Sequence, residues 1–230
     1  MLGAALKQMG RNLDALAPMQ KATALLPGDA AVHCNLGNTL NDLGRLNEAE
    51  ASYRRALEIK PDYVKARNNL GNTLNGLGRL NEAEASYRRA LEIKPDYAEA
   101  HYNLGNTLNG LGRLNEAEAS YWRALEIKPD YAEAHNNLGS ALNKLGQLYE
   151  AEASYRRALE IKLDSAEAHS NLGNTLNDLG RLGEAESSCR QALAIKPDYA
   201  EAHYNLGNTL NVSGVNYPGR LTTITLAGFS

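Results

Sequence analysis

The sequence predicts an all-α solenoid, and three observations predict it. The string NLGNTLN begins at residues 35, 69, 103, 171 and 205, with the variant NLGSALN at 137, so each copy starts 34 residues after the one before. A fixed period of that size belongs to arrays whose units bury their core against neighbours. Within a unit, Leu104, Leu108 and Leu111 recur at i, i+4, i+7, and Ala117, Tyr121, Ala124 and Leu125 at i, i+4, i+7, i+8, which is the helical period twice over. Gly112 and Pro129 punctuate the two runs. Each unit is therefore two amphipathic helices.

The unit read from Ala98 is AEAHYNLGNTLNGLGRLNEAEASYWRALEIKPDY, and copies from Ala30, Val64, Ala132 and Ala166 align without insertion. Five full units thus span residues 30–199. Residues 1–29 are a partial repeat, since Leu2 and Gly3 match Leu36 and Gly37 while Ala15, Ala22 and Pro27 match Ala49, Ala56 and Pro61. Residues 200–211 read as the first helix of a sixth unit. Residues 212–230 have no counterpart; their LTTITLAGF run is apolar and rich in strand formers, so disorder or self-association at this incomplete end is expected.

The elements follow in order. Asp130 with Glu133 has the D-x-x-E spacing of a capping box and is expected to start a first helix. Gly105, inside that class of helix, costs about 1 kcal/mol against alanine, which is reasonable if the partner helix approaches closely there. Gly112 supplies a left-handed residue to end the first helix, and Asn115 with Glu118 repeats the capping device for the second. Glu84 and Arg88 stand at i, i+4 on a solvated, charged side of the second helix. Leu163 and Ser165 replace the usual Pro and Tyr at the fourth junction, where the array is expected to be loosest.

Composition excludes several functions. A net charge of −3 with dispersed Lys and Arg does not suit a phosphate-backbone binder, so no nucleic acid is expected. No run approaches a membrane span and the start lacks a leader's apolar core, so the expectation is a cytoplasmic chain with no membrane partner. Cys34 and Cys189 fall at different phases of units four repeats apart, which argues against a disulfide. His33, His101, His135, His169 and His203 recur at one unit position without a recurring acidic or thiolate ligand, which favours packing over metal. No nucleophile–base constellation or phosphate loop is present, so neither catalysis nor a cofactor is expected.

These residues resemble the tetratricopeptide repeat. The signature W-x2-L-G-x2-Y, A-x3-F, P maps onto His101, Leu104, Gly105 and Leu108, then Ala117 and Tyr121, then Pro129, with His or Arg67 for the Trp and Leu for the first Tyr. The resemblance implies a right-handed superhelix whose first helices line a concave groove for a peptide or protein partner. The H-x-N-L-G-N run, the GRLxEAExSYRRAL helix and the IKPDYAEAH junction are most similar to arrays of O-linked N-acetylglucosamine transferases and related bacterial proteins.

In that family geometry the groove face carries unit positions two, five, six, nine, twelve and thirteen. Position six holds Asn35, Asn69, Asn103, Asn137, Asn171 and Asn205; position nine Asn38, Asn72, Asn106, Asn174 and Asn208, with Ser140 the exception; position twelve Asn41, Asn75, Asn109, Asn143, Asn177 and Asn211. An asparagine amide offers an acceptor and two donors, the complement of a peptide backbone. The transferases use a ladder at position six in this way, so the resemblance implies that these amides grip an extended segment. Lys65, Tyr102, Tyr204 and the position-two glutamates Glu99, Glu133, Glu167 and Glu201 are where side-chain selectivity is expected. Trp122 stands for an arginine on the exposed side of a second helix.

Three functions are open at this stage: a protein-interaction scaffold, the substrate-recruiting part of a glycosyltransferase, or a ligand-free spacer whose repeats are recent copies. The asparagines equally suit bonds to neighbouring helices.

Overall fold

The computed structural model describes residue 9 and residues 11–213, in which there are twelve helices and no strand. The chain falls into two compact units, Met1–Asp130 and Tyr131–Ser230. The first unit holds α1 (Asn12–Leu25), α2 (Ala30–Asp42), α3 (Leu46–Ile59), α4 (Val64–Gly76), α5 (Leu80–Ile93), α6 (Ala98–Gly110) and α7 (Leu114–Ile127). The second holds α8 (Ala132–Lys144), α9 (Leu148–Ile161), α10 (Ala166–Asp178), α11 (Leu182–Ile195) and α12 (Ala200–Val212). In each unit consecutive helices pack pairwise, the solenoid arrangement that the period predicts. Val212 extends the last helix one residue past the repeat, and residues 214–230, with the expectation of disorder or self-association there, lie outside the described residues.

Each hairpin turns at one glycine. Gly112 has φ +75°, and Arg113 N–H donates to Leu108 O at 2.9 Å, the six-to-one bond of a Schellman ending. Above the turn a tyrosine ring lies flat on the first helix: a Cβ on Gly105 would sit 2.6 Å from Tyr121 Cε1. Gly37, Gly71 and Gly139 meet Tyr53, Tyr87 and Tyr155 in the same way, while Gly173 meets Cys189 Sγ. The expected close approach is thus a ring-over-glycine contact. Fully buried alanines, among them Ala83, Ala90, Ala117 and Ala124, let the paired helices come together around it.

The capping boxes do not form. α8 starts after Tyr131 and α7 after Arg113, and neither start has a side-chain cap. Asp62, Asp96 and Asp198, counterparts of Asp130, lie in the turn that follows the proline, one residue too early to cap. In place of an Asn115–Glu118 box, Arg113 donates to Glu116 at 2.7 Å. Caps occur where the junction departs from the repeat: Asp29 accepts from Ala31 N at 2.7 Å, and Ser165 from Ala168 N at 3.2 Å. Leu163 does not lengthen the preceding helix, which ends at Ile161 as its counterparts end at Ile59, Ile93 and Ile195.

The charged side is more organised than a solvated face. In the first unit Glu84, with its side chain 13% exposed, accepts from Arg88 at 2.8 Å and from Arg113, just before the next second helix, at 2.6 Å. Arg88 and Arg113 also reach Glu116 at 3.2 and 2.6 Å, closing a four-charge ring. Glu50, Arg54, Arg79 and Glu82 form another, as do Glu152, Arg156, Arg181 and Glu184 within the second unit. The arginine hydrogen bonds hold Glu82, Glu116 and Glu184 below the usual carboxylate range.

Candidate peptide-binding face

The first helices bring positions six, nine and twelve onto one face in each unit, and there the asparagines are already bonded to protein. Position nine is tied to the buried tyrosine: Tyr53, Tyr87 and Tyr121 hydroxyls donate to Asn38, Asn72 and Asn106 Oδ1 at 2.7, 2.6 and 2.8 Å. Burial pushes these phenols well above their ordinary range, so they remain donors. Position twelve spans to the next first helix through a fully buried threonine. Thr73 donates to Asn41 Oδ1 at 3.0 Å, Asn75 donates to Thr107 at 3.2 Å, and in the second unit Asn143 donates to Thr175 at 2.9 Å.

Position six reaches backward. Asn69 Nδ2 donates to Asn38 Oδ1 at 2.7 Å and Asn103 Nδ2 to Asn68 Oδ1 at 3.1 Å; in the second unit Asn171 donates to Asn136 at 3.2 Å and Asn205 to Ser170 Oγ at 3.1 Å. Sequence reasoning passed over these acceptors, although Asn68, Asn136 and Ser170 are buried. Their signal was present: a polar residue at position five directly before the position-six asparagine.

The bonding is partial. Asn103 and Asn171 each commit one N–H to the preceding helix, and among the described residues their carbonyls accept nothing. Asn35 and Asn72 are exposed, as is Lys65. Tyr102 is half-buried, its ring 6.2 Å from that of Tyr121, so it lies along the core more than it projects. Asn136 also donates to Glu167 at 2.8 Å, and among the described residues the Asn174 side chain makes only a long contact to Asp178 at 3.5 Å. Asn109 and Asn137 occupy the same positions on α6 and α8.

The histidines have a structural use. Nε2 of His33, His101, His169 and His203 bonds the carbonyl of Pro27, Pro95, Leu163 and Pro197 at 2.9 to 3.1 Å, and Arg67 reaches Pro61 O from the same position. Burial lowers the pKa of His101 and His169. Among the described residues no three His, Cys, Asp or Glu side chains converge as metal ligands, and no helix is long and apolar enough to cross a membrane.

Comparison with known proteins agrees with this geometry. The family model of the TPR repeat matches residues 37–78, 71–112, 105–146, 139–180 and 173–211. YrrB, described as a TPR protein with an unusual peptide-binding site, is 27% identical over 81% of this chain and 96% of its own, with a TM-score of 0.67. PilW, a type IV pilus biogenesis factor, is 25% identical over 89% of this chain and 95% of its own, with a TM-score of 0.80. The thermophilic TPR protein TTC0263 of Thermus thermophilus is 27% identical over 79% of this chain and 99% of its own, with a TM-score of 0.60. No curated protein matches the sequence. With that family model matched in five overlapping stretches from residue 37 to 211, and the ring-over-glycine hairpin repeated beneath them, the chain belongs to the tetratricopeptide repeat family.

Proposed function

We propose that the first-helix face binds an extended segment of a partner protein, and that its asparagine amides hold the backbone of that segment. TPR proteins as a family mediate protein and peptide interactions, and the similar YrrB is described as having a peptide-binding site. One observation carries the reading for this chain: at position six, Asn103 and Asn171 are each held by a bond to the preceding helix while a carbonyl and an N–H remain for a ligand. An amide fixed in this way loses little freedom on binding. Lys65 and the exposed edge of half-buried Tyr102 then supply selectivity in the first unit, and Glu133, Glu167 and Glu201 an acidic bias in the second. The glycosyltransferase reading rests on the sequence motifs alone, and a non-enzymatic scaffold is the simpler account of helix pairs of one repeat type.

The test replaces Asn69, Asn103, Asn137 and Asn171 together by alanine. Capture of extended peptides from a displayed random library is compared with that of the natural chain, with circular dichroism to confirm helicity. Loss of capture by a folded variant supports the proposal; equal capture by both chains, or capture by neither, removes it.

A further inference from the structure

The three charge rings show what a glutamate at the position of Glu84 does: it receives two guanidinium groups. Glu50 takes Arg54 and Arg79, Glu84 takes Arg88 and Arg113, and Glu152 takes Arg156 and Arg181. At the corresponding Glu118 of α7 both arginine positions are substituted in the sequence. Trp122 stands where Arg54, Arg88 and Arg156 stand, and Gln147 where Arg79, Arg113 and Arg181 stand. Glu118 keeps a half-buried carboxylate, and no ion pair to it exists among the described residues. One turn along, Trp122 is 47% exposed and is the chain's single tryptophan.

We propose that Glu118 and Trp122 form a docking site for an arginine side chain of a partner protein, on the second-helix side and independent of the first-helix face. Charge complementarity argues for this occupant. The carboxylate stands one helical turn before Trp122 at i, i+4, as Glu84 stands before the Arg88 that donates to it at 2.8 Å, and the change from arginine to tryptophan exchanges an internal cation for a surface that attracts one. A guanidinium satisfies both groups, with its N–H fork on the carboxylate and its flat face on the indole. An ammonium lacks the fork and the planar face, so arginine is preferred over lysine. The other two carboxylates of α7 do not compete, because Glu116 is held by Arg113 and Glu126 by Arg123.

Trp122 is its own reporter. The full chain is titrated at 150 mM salt with the acetylated, amidated peptide GSGRRRGSG and with counterparts carrying lysine or the uncharged citrulline in place of arginine, while indole emission is followed. The arginine peptide is expected to change the emission saturably, the lysine peptide to bind several-fold more weakly and the citrulline peptide not at all. Glu118→Gln should weaken arginine-peptide binding about tenfold, the size of one charge-assisted hydrogen bond. Trp122→Arg restores the internal i, i+4 cation and should abolish binding, read from the anisotropy of a fluorescein-labelled peptide. Glu118→Gln keeps the side chain's shape and Trp122 is exposed, and circular dichroism confirms that both variants are folded. An unsaturable response, equal binding of the arginine and lysine peptides, or an unchanged titration in Glu118→Gln would overturn the proposal.

Discussion

Substituting the two glycines Gly105 and Gly207 by alanine should shift stability in opposite directions, although both occupy position eight of a first helix. Alanine in a helix interior is favoured over glycine by about 1 kcal/mol, so propensity alone predicts stabilisation at each. At Gly105 the new Cβ meets Cε1, Cδ1 and Cζ of Tyr121 at 2.6, 2.7 and 3.0 Å, where carbon atoms in contact prefer about 3.5 to 4.0 Å. The ring has little room to retreat, because Tyr121 is 0% exposed and its hydroxyl is bonded to Asn106 at 2.8 Å. Overpacking of this kind costs about 1 to 3 kcal/mol, and losing the hydroxyl bond adds about 1. Gly105→Ala is therefore expected to destabilise by about 1 to 3 kcal/mol net of propensity.

At Gly207 the Cβ position has no described neighbour within 4 Å apart from the adjoining residues and local backbone of its own helix, and Gly207→Ala is expected to stabilise α12 by about 0.5 to 1 kcal/mol. Urea unfolding followed by circular dichroism reads the first effect. Amide exchange along α12 reads the second, since stability in a repeat array is local. The double variant Gly105→Ala with Tyr121→Ala should show strong coupling, because the Cβ penalty disappears with the ring. If Gly105→Ala and Gly207→Ala proved equally stabilising, the ring-over-glycine account of the hairpin would be wrong.

Acid should weaken the fold in a window set by two histidines. His101 and His169 titrate below their ordinary value of 6.5 when folded because burial disfavours the cation, so the unfolded chain binds more protons and their contribution is lost as pH falls from 6.5 through the lowered folded values. Urea midpoints measured from pH 7.5 to 5.5 should fall, and a chain with both replaced by Asn should show a flatter profile. Glu84→Ala removes the centre of a charge ring and should lower the urea midpoint, by less in 1 M NaCl, where exposed arginine partners are screened. At the fourth junction, Ser165→Ala should cost about 1 kcal/mol through loss of the cap on Ala168 N, and faster exchange of the first amides of α10 would show it. Uniform protection across all junctions in the natural chain would count against that junction being the loosest.

The period, the hairpin and the glycine turn were legible because each follows from backbone geometry that few residues satisfy: a left-handed turn at Gly112, a missing Cβ at Gly105, a proline after the second helix. Helix starts were not legible at the same level. Asp130 and Glu133 have capping spacing, yet the turn that follows proline takes up the aspartate position and the chain enters the helix one residue later, at a tyrosine. The charge rings were half legible. The i, i+4 pair Glu84–Arg88 lies within one helix and can be read from spacing, whereas Arg113 meets Glu84 across 29 residues, through the packing of adjacent second helices. The amide network was hidden for the same reason, since the partner of Asn103 is 35 residues away.

Why a helical array repeats a poor helix former is therefore a question about opposing terms, and two positions separate them. Asn35 is exposed and its side chain has no protein partner among the described residues, so Asn35→Ala should recover propensity and stabilise by up to about 0.7 kcal/mol. Asn103→Ala recovers the same propensity but removes the donor to Asn68 Oδ1, and Asn68 is 4% exposed. An orphaned buried acceptor costs about 1 to 3 kcal/mol, so this variant should lose about 0.5 to 2 kcal/mol on balance. The comparison is made by urea unfolding of the two single variants. Opposite signs mean that the inner asparagines are kept by the structure and that any ligand uses only their remaining carbonyl and N–H. Stabilisation at both sites would mean that the Asn103–Asn68 bond contributes little, leaving ligand binding or repeat copying to explain the asparagine.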